Sequence, residues 1–511
     1  MQKKTLALIF LTAILTSCIK TVTLDDAALM EKIRGGWYAQ TIGCTYGGPT
    51  EFKFKGCVIP DSISLGWYDE FIHDMFVNRP GLYDDVYMDL TFLEVMAEHG
   101  VDAGQELYAE KFANAPYFLW HANQAARYNI LHGCKAPESG FWMNNPHADD
   151  IDFQIESDFI GMLTPGRPDI ASGFCNTIGH IMNYGNGWYG GVFTAAMYSY
   201  AYVYDNVEKI VRKAARMIPE GTGFRGCIDD VLQFHRRNPK RWKDCWDMVQ
   251  DKYSHDVGCP DGLWDDFDID ATINAAYVVI GLLYGEGDFQ NTMEISTRCG
   301  QDSDCNPATA AGILGVMYGY EAIPDDFRKG AELISDIPFP YTSLSLNDVC
   351  EKNLELLKDA LGLESCRNPG EVVIRVQAPS PVQYEQSFEG IRPKEQIVVD
   401  AVLKDSLNLV FDGSAFVIKG EVMNPGKSDK CYTATIEVSL DGEIVETVEM
   451  PADYRSRKLD VFYRYGLEDK GHRVSLSLLN PDPEFCVNVE KVIVYEDAFQ
   501  ASETNVKNKE K

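Results

Sequence analysis

The sequence has too few basic residues to favour binding to nucleic acid. Its 511 residues include 46 lysines and arginines against 77 aspartates and glutamates, which gives a net charge of −31. A protein with this charge repels a phosphate backbone, and no basic run or basic aromatic strip offsets the repulsion. The composition therefore predicts that nucleic acid is not a partner.

Long apolar runs are also missing after the amino terminus, so no membrane-spanning helix is expected in the body of the chain. The uncharged segment of residues 5–17 follows Lys3 and Lys4 and is too short to span a bilayer. Its length and flanks are typical of a secretory signal. We therefore predict a signal peptide over residues 1–17.

Leu15-Thr16-Ser17-Cys18 resembles the box at which bacterial lipoproteins are cut before an acylated cysteine. This resemblance implies that Cys18 carries a lipid, that residues 18–24 form a tether, and that a membrane is a partner through the anchor. The expected location is the bacterial cell envelope, on the periplasmic or the outer-surface face. An ordinary secretory signal with an incidental cysteine is the alternative.

Metal-binding patterns of cysteine and histidine are missing as well. The 14 cysteines contain no CxxC pair. Most are predicted to be buried small hydrophobic residues, and one or two disulfide bridges stay open as a possibility. His73, His121, His147 and His180 show no HExxH or similar spacing, so the sequence assigns none of them to a metal.

A chain of this length suggests two or three domains. The sequence pattern of its first part is typical of helices. Apolar residues recur at helical spacing, as in Leu29, Ile33 and Trp37, and loops rich in glycine and aspartate separate such runs. The pattern predicts an all-α domain over residues 25–366.

After Pro369 the sequence pattern changes to short runs of β-branched residues that alternate with polar ones. Asp441-Gly442 stands between two of these runs and is a strong signal for a hairpin. Several short strands at this spacing predict a β-sandwich over residues 370–498. The polar residues 499–511 are predicted to be a disordered tail.

Two acidic loops more than two hundred residues apart each open a helix-like run. One is Tyr83-Asp84-Asp85, and the other is Gly300-Gln301-Asp302-Ser303-Asp304-Cys305-Asn306-Pro307. A hard cation such as Mg²⁺ takes about six oxygen ligands, few of which one short loop supplies. The two loops are therefore predicted to converge on one cation site. Helix capping by solvated acidic loops is the alternative interpretation.

Together with Gly43-Cys44-Thr45-Tyr46-Gly47-Gly48-Pro49-Thr50-Glu51, these loops resemble the three signature stretches of the ADP-ribosylglycohydrolase family, in the same order. The resemblance covers roughly residues 30–325. It implies an all-α orthogonal helical bundle with a magnesium centre at the bottom of a cleft that holds a ribose or a similar sugar. The activity it implies is hydrolysis of a bond at the anomeric carbon of that sugar.

Carried over by position, the resemblance gives Asp84, Asp85, Asp302 and Asp304 as metal ligands. It also makes Glu51, Asp85 and Asp302 the catalytic residues, with Glu51 managing protons. The implied cofactor is Mg²⁺, as one or two ions. Three positions differ from the family pattern: Tyr83 and Cys305 replace threonines, and Cys44 replaces an aspartate. A thiol is a poor ligand for a hard cation, so the second ion stays open.

A glycine- and aromatic-rich segment, Tyr184-Gly185-Asn186-Gly187-Trp188-Tyr189, suits a loop that packs against a sugar. Tyr184, Gly185, Trp188 and Tyr189 are therefore predicted to bind substrate. Stacking of these aromatic rings inside the core explains the composition almost equally well.

The sequence thus predicts a metal-dependent glycohydrolase that acts on an N- or O-glycosidic bond of a ribosyl or related sugar. Its expected partner is a sugar-containing small molecule or a glycan. Two alternatives remain: a surface lipoprotein that binds sugar without catalysis, and a carbohydrate-adhesion protein that acts through the β-sandwich.

Overall fold

The computed structural model describes residues 20–254, 258–362, 365–366 and 368–498. The predicted signal peptide, the predicted lipidation residue Cys18 and the predicted tail of residues 499–511 lie outside the described residues. Among the described helices, none combines the length and the apolar character needed to cross a membrane.

The first part of the chain is helical, as predicted. Three 3-10 helices accompany the α-helices, at Gly48–Thr50, Pro80–Tyr83 and Tyr320–Ala322. The α-helices are α1 Asp26–Gly47, α2 Phe71–Asn78, α3 Asp84–His99, α4 Gln105–Asn114, α5 His121–Leu131, α6 Asp152–Ile155, α7 Asp158–Leu163, α8 Pro168–Gly179, α9 Gly185–Ala201, α10 Val207–Ala215, α11 Gly223–Arg237, α12 Trp242–Tyr253, α13 Ala271–Tyr284, α14 Phe289–Arg298, α15 Cys305–Tyr318, α16 Asp325–Glu332 and α17 Leu346–Leu361.

Helices α1 and α15 pack closely along the centre of this helical part, and glycines make that approach possible. A Cβ atom added to Gly43 would lie 2.4 Å from the carbonyl oxygen of Pro307, and one added to Gly47 would lie 1.7 Å from that of Ser303. Any larger residue would push the helices apart. The glycine-rich stretch of the sequence is therefore mostly a helix end that seats the second acidic loop.

A small two-stranded sheet changes the predicted domain boundaries. Strand β1, Thr21–Asp25, pairs antiparallel with β2, Glu371–Arg375. Residues 21–24 therefore form a strand where a tether was predicted. In β2, Val372 and Ile374 pack into the core of the helices and not into the β-sandwich. The alternating pattern identified the strand but not its partner, which lies about 350 residues earlier in the chain.

The β-sandwich begins later than predicted, at Ile391. Its two four-stranded sheets have the orders β3-β10-β5-β8 and β4-β9-β6-β7, with antiparallel pairing throughout, and enclose an apolar core. Asp441 and Gly442, both with positive φ, form the predicted hairpin turn between β6 and β7. The strands are β3 Ile391–Leu403, β4 Ser406–Gly413, β5 Ala415–Met423, β6 Thr433–Leu440, β7 Glu443–Pro451, β8 Asp460–Arg464, β9 Lys470–Leu478 and β10 Cys486–Asp497.

The β-sandwich packs against the helical part through buried aromatic residues and hydrogen bonds. Trp142 of the helical part contacts the rings of Phe388 and Tyr465. The Tyr495 hydroxyl donates to the carbonyl oxygen of Gly258 at 2.7 Å. The interface is thus a buried, specific contact.

Thirteen cysteines lie in the described residues, and none of these is joined in a disulfide. Eight of them are buried. The prediction that most act as small hydrophobic residues agrees with this placement.

Candidate active site

The first acidic loop ends where α3 begins, with Asp84 as the first helical residue and Asp85 as the second. Their carboxylates therefore lie at the positive end of the helix dipole, as predicted. Tyr83 precedes them and is buried. Its hydroxyl lies 2.8 Å from the Thr45 hydroxyl and 3.3 Å from the carbonyl oxygen of Ile72. The residue that replaces the family's threonine is therefore engaged in packing.

The second acidic loop leads into α15, with Asp304 at the N-cap position and Pro307 in the first turn. The segment that carries Glu51 holds this loop in place. The Thr50 hydroxyl lies 2.9 Å from the Ser303 hydroxyl, and the amide of Phe52 donates to the carbonyl oxygen of Gln301 at 3.1 Å. The sequence neighbours of Glu51 are therefore fixed beside those of Asp302.

The two acidic loops meet. The Cys305 thiol donates to Asp85 Oδ1 at 3.2 Å, across 220 residues of chain. One buried carboxylate oxygen on each of Asp85, Asp302 and Asp304 has no hydrogen-bond partner among the described residues. A buried anionic oxygen is costly unless a proton, a donor or a cation satisfies it.

A cavity of about 440 Å³ reaches this meeting point of the two loops, where Asp302 and Cys305 line it. Glu51, Asp84 and Asp302 line it, so the three predicted site segments border one space. Apolar and aromatic side chains form much of the remaining lining, and Phe52, Trp120 and Phe267 are among them. A concave site with apolar walls and a few convergent polar groups is typical of a small-molecule site.

The carboxyl groups around the cavity hold protons more tightly than usual. Burial, together with Asp302 and Asp85, raises the pKa of Glu51 to about 7. Burial and Asp302 raise the pKa of Asp85 to about 7 as well. Burial is also the main cause of the raised pKa of Asp302. Like charges gathered in a poorly solvated place produce this behaviour.

The donor set fits a divalent oxygen-binding cation such as Mg²⁺. Asp85, Asp302 and Asp304 supply carboxylate oxygens without partners in the part of the chain that the structure describes. Asn306, next to Cys305 in the second acidic loop, has a buried amide oxygen, Oδ1, which likewise has no partner among the described residues. Burial raises the pKa of the Cys305 thiol well above its usual value, so this residue remains a neutral donor to Asp85.

The four residues predicted to bind substrate lie elsewhere. The described residues that line the cavity do not include Tyr184, Gly185, Trp188 or Tyr189. Trp188 and Tyr189 are buried in α9 and donate hydrogen bonds to backbone carbonyl oxygens. Their contacts are those of core aromatic residues, which is the alternative that the composition allowed.

No sequence pattern indicates one wall of the cavity, which Trp120, His121, Asn123 and Asp152 form. Asp152 joins two segments of this wall, because its carboxylate accepts from the amides of Ala122 and Asn123 at 3.1 and 3.2 Å. These residues belong to no recognisable motif. A positive φ of 42° at His121 is their one local peculiarity, and it is visible only in the structure.

The chain was compared with curated proteins and with solved structures. No curated protein matches the chain. A solved structure described as an ADP-ribosylglycohydrolase-related protein complex is 14% identical, with 65% of this chain and 99% of that chain covered and a TM-score of 0.42. A family GH115 4-O-methyl-alpha-glucuronidase with specificity for decorated arabinogalactans is 11% identical, with 60% and 40% covered and a TM-score of 0.20.

The family model for ADP-ribosylglycohydrolase matches residues 25–357, which is most of the helical part. This span contains all three signature stretches, two of which are the acidic loops. The chain belongs to the ADP-ribosylglycohydrolase family.

Proposed function

We propose that this protein is a magnesium-dependent glycohydrolase that cleaves an N- or O-glycosidic bond at the anomeric carbon of a ribosyl or related sugar. Membership of the family supports a glycohydrolase-type activity. The observation that carries the finer proposal is the set of buried oxygens on Asp85, Asp302 and Asp304 that have no partner in the described part of the chain, since Asp302 lines the same cavity as Glu51.

Asp84, Asp85, Asp302 and Asp304 would hold the cation, as one or two ions. Bound there, Mg²⁺ supplies positive charge that orients the vicinal hydroxyls of a sugar and polarises water. The protein contributes a dry, shaped space in which the sugar is held against these carboxylates.

Glu51 is the proposed proton carrier. Its pKa of about 7 means that both protonation states are accessible near neutral pH. As a carboxylate, it takes a proton from the water that attacks the anomeric carbon. The bond from that carbon to the leaving nitrogen or oxygen breaks, and the proton on Glu51 passes to the leaving atom, so the net change is addition of one water molecule.

The cavity walls and the proposed location bear on the substrate. Trp120 offers an aromatic face at the cavity, with 40% of its surface exposed. Such faces stack on sugar rings and bases. With the proposed lipid anchor at Cys18, the enzyme would work in the bacterial envelope. An external glycan, a nucleoside-like glycoside or an exported ADP-ribosyl conjugate is therefore the proposed substrate.

Thermal unfolding with and without Mg²⁺ tests the cation site, because a ligand that binds only the folded state raises the midpoint. We expect Mg²⁺ to raise the midpoint of the wild type and of Asp251→Ala, a control at an exposed aspartate of α12. Asp302→Ala should lose this shift. An equal shift in all three proteins would contradict the proposed ligands.

Release of reducing sugar or free ADP-ribose from a panel of glycosides tests the activity. The wild type should release product only with Mg²⁺, and Glu51→Gln should release far less. Binding of the same compounds without any release would favour the alternative of a sugar-binding protein. That alternative rests on Tyr83, Cys44 and Cys305, whose polar atoms are engaged with other protein groups.

A further inference from the structure

A second cluster of chemically active side chains lies beside the cleft, where the helical part meets the β-sandwich. His121 begins α5, His147 and Asp150 lie in the loop before α6, and Asp261 lies in the loop before α13. One ligand atom from each of these residues lies within 4.8 Å of all the others. The cluster shares no residue with Asp84, Asp85, Asp302 or Asp304.

The distances within the cluster suit a tetrahedral metal site. His121 Nδ1 lies 2.9 Å from Asp261 Oδ2 and 3.9 Å from Asp150 Oδ2. His147 Nδ1 lies 3.0 Å from Asp150 Oδ2 and 3.4 Å from Asp261 Oδ2. Zinc bonds of roughly 2.0–2.1 Å place neighbouring ligand atoms of a regular tetrahedron about 3.3 Å apart. The four distances lie on both sides of that value.

Hydrogen bonds account for only two of the four distances, the 2.9 Å from His121 Nδ1 to Asp261 Oδ2 and the 3.0 Å from His147 Nδ1 to Asp150 Oδ2. Each Nδ1 atom carries at most one proton, yet it faces two carboxylate oxygens. Two of the four distances, 3.4 and 3.9 Å, are long for a hydrogen bond. In addition, Asp150 is fully buried, and its Oδ1 has no partner among the described residues.

The surroundings resemble the outer shell of a metal site, and the β-sandwich supplies them. His147 Nε2 lies 3.2 Å from Asp460 Oδ2, the carboxylate partner that metal-binding histidines usually have on their second nitrogen. Lys419 donates to Asp261 Oδ1 at 2.8 Å and leaves Oδ2 for the cluster. Both outer residues come from the β-sandwich, on β8 and β5.

We propose that His121, His147, Asp150 and Asp261 bind one Zn²⁺ ion at the junction of the two domains. Two imidazole nitrogens and two carboxylate oxygens form a closed set of four protein ligands. Catalytic zinc sites keep one position open, so a closed set indicates a structural role. The ion fastens the β-sandwich to the helical part through Asp460 and Lys419. It also fixes His121, whose ring borders the catalytic cavity.

Metal content and cobalt substitution test this site directly. We expect the full-length protein to take up one equivalent of Zn²⁺ or Co²⁺ at this site, and the Co²⁺ form to show the visible absorption of four-coordinate cobalt. His147→Gln should lose that absorption. His180→Gln, at another buried histidine that faces a carboxylate, Glu385 at 3.0 Å, should keep it.

Asp302→Ala separates this site from the catalytic cation site. The Co²⁺ absorption should persist in Asp302→Ala, although its Mg²⁺ response is lost. Asp460→Asn keeps all four ligands and should weaken metal affinity roughly 10–100-fold, as loss of an outer-shell partner does. This variant provides a result even if His147→Gln fails to fold.

Two results would overturn the proposal. One is a wild-type protein that binds no Zn²⁺ or Co²⁺, or binds Co²⁺ without the four-coordinate absorption. The other is equal affinity of the wild type and Asp460→Asn, together with absorption that persists in His147→Gln. In either case the cluster is an ion-pair network neutralised by protons and by Lys419.

Discussion

Asp85 in the cleft and Asp460 at the domain interface are buried to the same degree, with 1% and 2% of their surface exposed. Their pKa values nevertheless move in opposite directions. Burial raises both, and for Asp85 the neighbouring Asp302 raises the pKa further, to about 7. For Asp460, Lys419 and His147 outweigh the effect of burial and lower the pKa.

The difference shows how the fold treats buried negative charge in two places. At the interface, Lys419 and His147 face Asp460, so this carboxylate has cationic partners within the chain even without the proposed Zn²⁺ ion, and removing one of them is costly. In the cleft, other carboxylates are the main neighbours, and the site requires protons or a bound cation. A region that is electrostatically incomplete on its own is a candidate for binding and catalysis.

The largest expected effect is that of substituting Glu51, which lies in the cleft, the region whose carboxylates require protons or a bound cation. Glu51→Gln should lower kcat/KM by about 10²–10⁴, the usual contribution of a positioned acid or base. With Mg²⁺ present, kcat/KM of the wild type should rise with pH as Glu51 loses its proton. This rise should lie below pH 7, because Mg²⁺ neutralises Asp302 and Asp85, which add to the effect of burial in raising the pKa of Glu51. Rates of sugar release at several pH values measure both effects.

Glu110→Gln is the matched control, since Glu110 is exposed on α4. It should leave the rate and the pH profile unchanged. A Glu51→Gln variant that keeps the wild-type pH profile would assign the proton transfer to another group.

The next largest effect is expected at the domain interface, where buried carboxylates have cationic partners within the chain. Lys419→Met removes the buried cation that contacts Asp261 at 2.8 Å and Asp460 at 3.6 Å. Loss of one partner from a buried pair costs about 3–5 kcal/mol, which denaturant unfolding in EDTA at pH 7 measures. Lys394→Met is the control, because Lys394 and Asp412 form a solvent-exposed pair of the same length, 2.8 Å, and loss of such a pair should change the stability far less.

The difference in unfolding free energy between the wild type and Lys419→Met should depend on pH, because Asp261 and Asp460 have lowered pKa values. A lowered pKa contributes stability above the unfolded value, near 3.8, and this contribution is lost as the pH falls through the folded value. The gap between the wild type and Lys419→Met should therefore narrow in acid. A gap that widens there would contradict the ion-pair account.

A smaller effect, of opposite sign, is expected at Asp85. In EDTA near pH 8, Asp85→Asn should stabilise the protein by about 1 kcal/mol, because it removes a buried charge that neighbouring carboxylates repel. The raised pKa makes the wild type more stable as the pH falls from above 7, so the two proteins should converge in acid. With saturating Mg²⁺, the wild type should be the more stable of the two proteins. A variant that is less stable than the wild type under all these conditions would mean that Asp85 is paired within the fold.

Much of the cleft could be predicted because its sequence signals are local. Asp84 and Asp85 at the start of α3, and Pro307 in the first turn of α15, follow from helix-start chemistry. The family resemblance added Glu51. Local patterns did not show the role of Gly43 and Gly47. These glycines let α1 approach α15, which brings the glycine-rich stretch against the second acidic loop.

The interface cluster could not be predicted, because its members share no local pattern. His121 and His147 lie 26 positions apart, far from any helical metal-binding spacing, and their partners Asp460 and Lys419 come from another domain. The same limit applies to β2, whose partner strand is at the other end of the helical part. Long-range pairing of this kind depends on the assembled fold.

The smallest effect tests whether the interface depends on its charges or on its many neutral contacts. The Tyr463 hydroxyl donates to the carbonyl oxygen of Asn144 at 2.6 Å, and that oxygen also accepts from Asn129 Nδ2 at 2.8 Å. Tyr463→Phe therefore leaves no unsatisfied carbonyl and should cost only about 1 kcal/mol in denaturant unfolding. If it costs as much as Lys419→Met, neutral contacts carry the interface, and the contrast between the two buried carboxylate regions does not explain how the domains are held together.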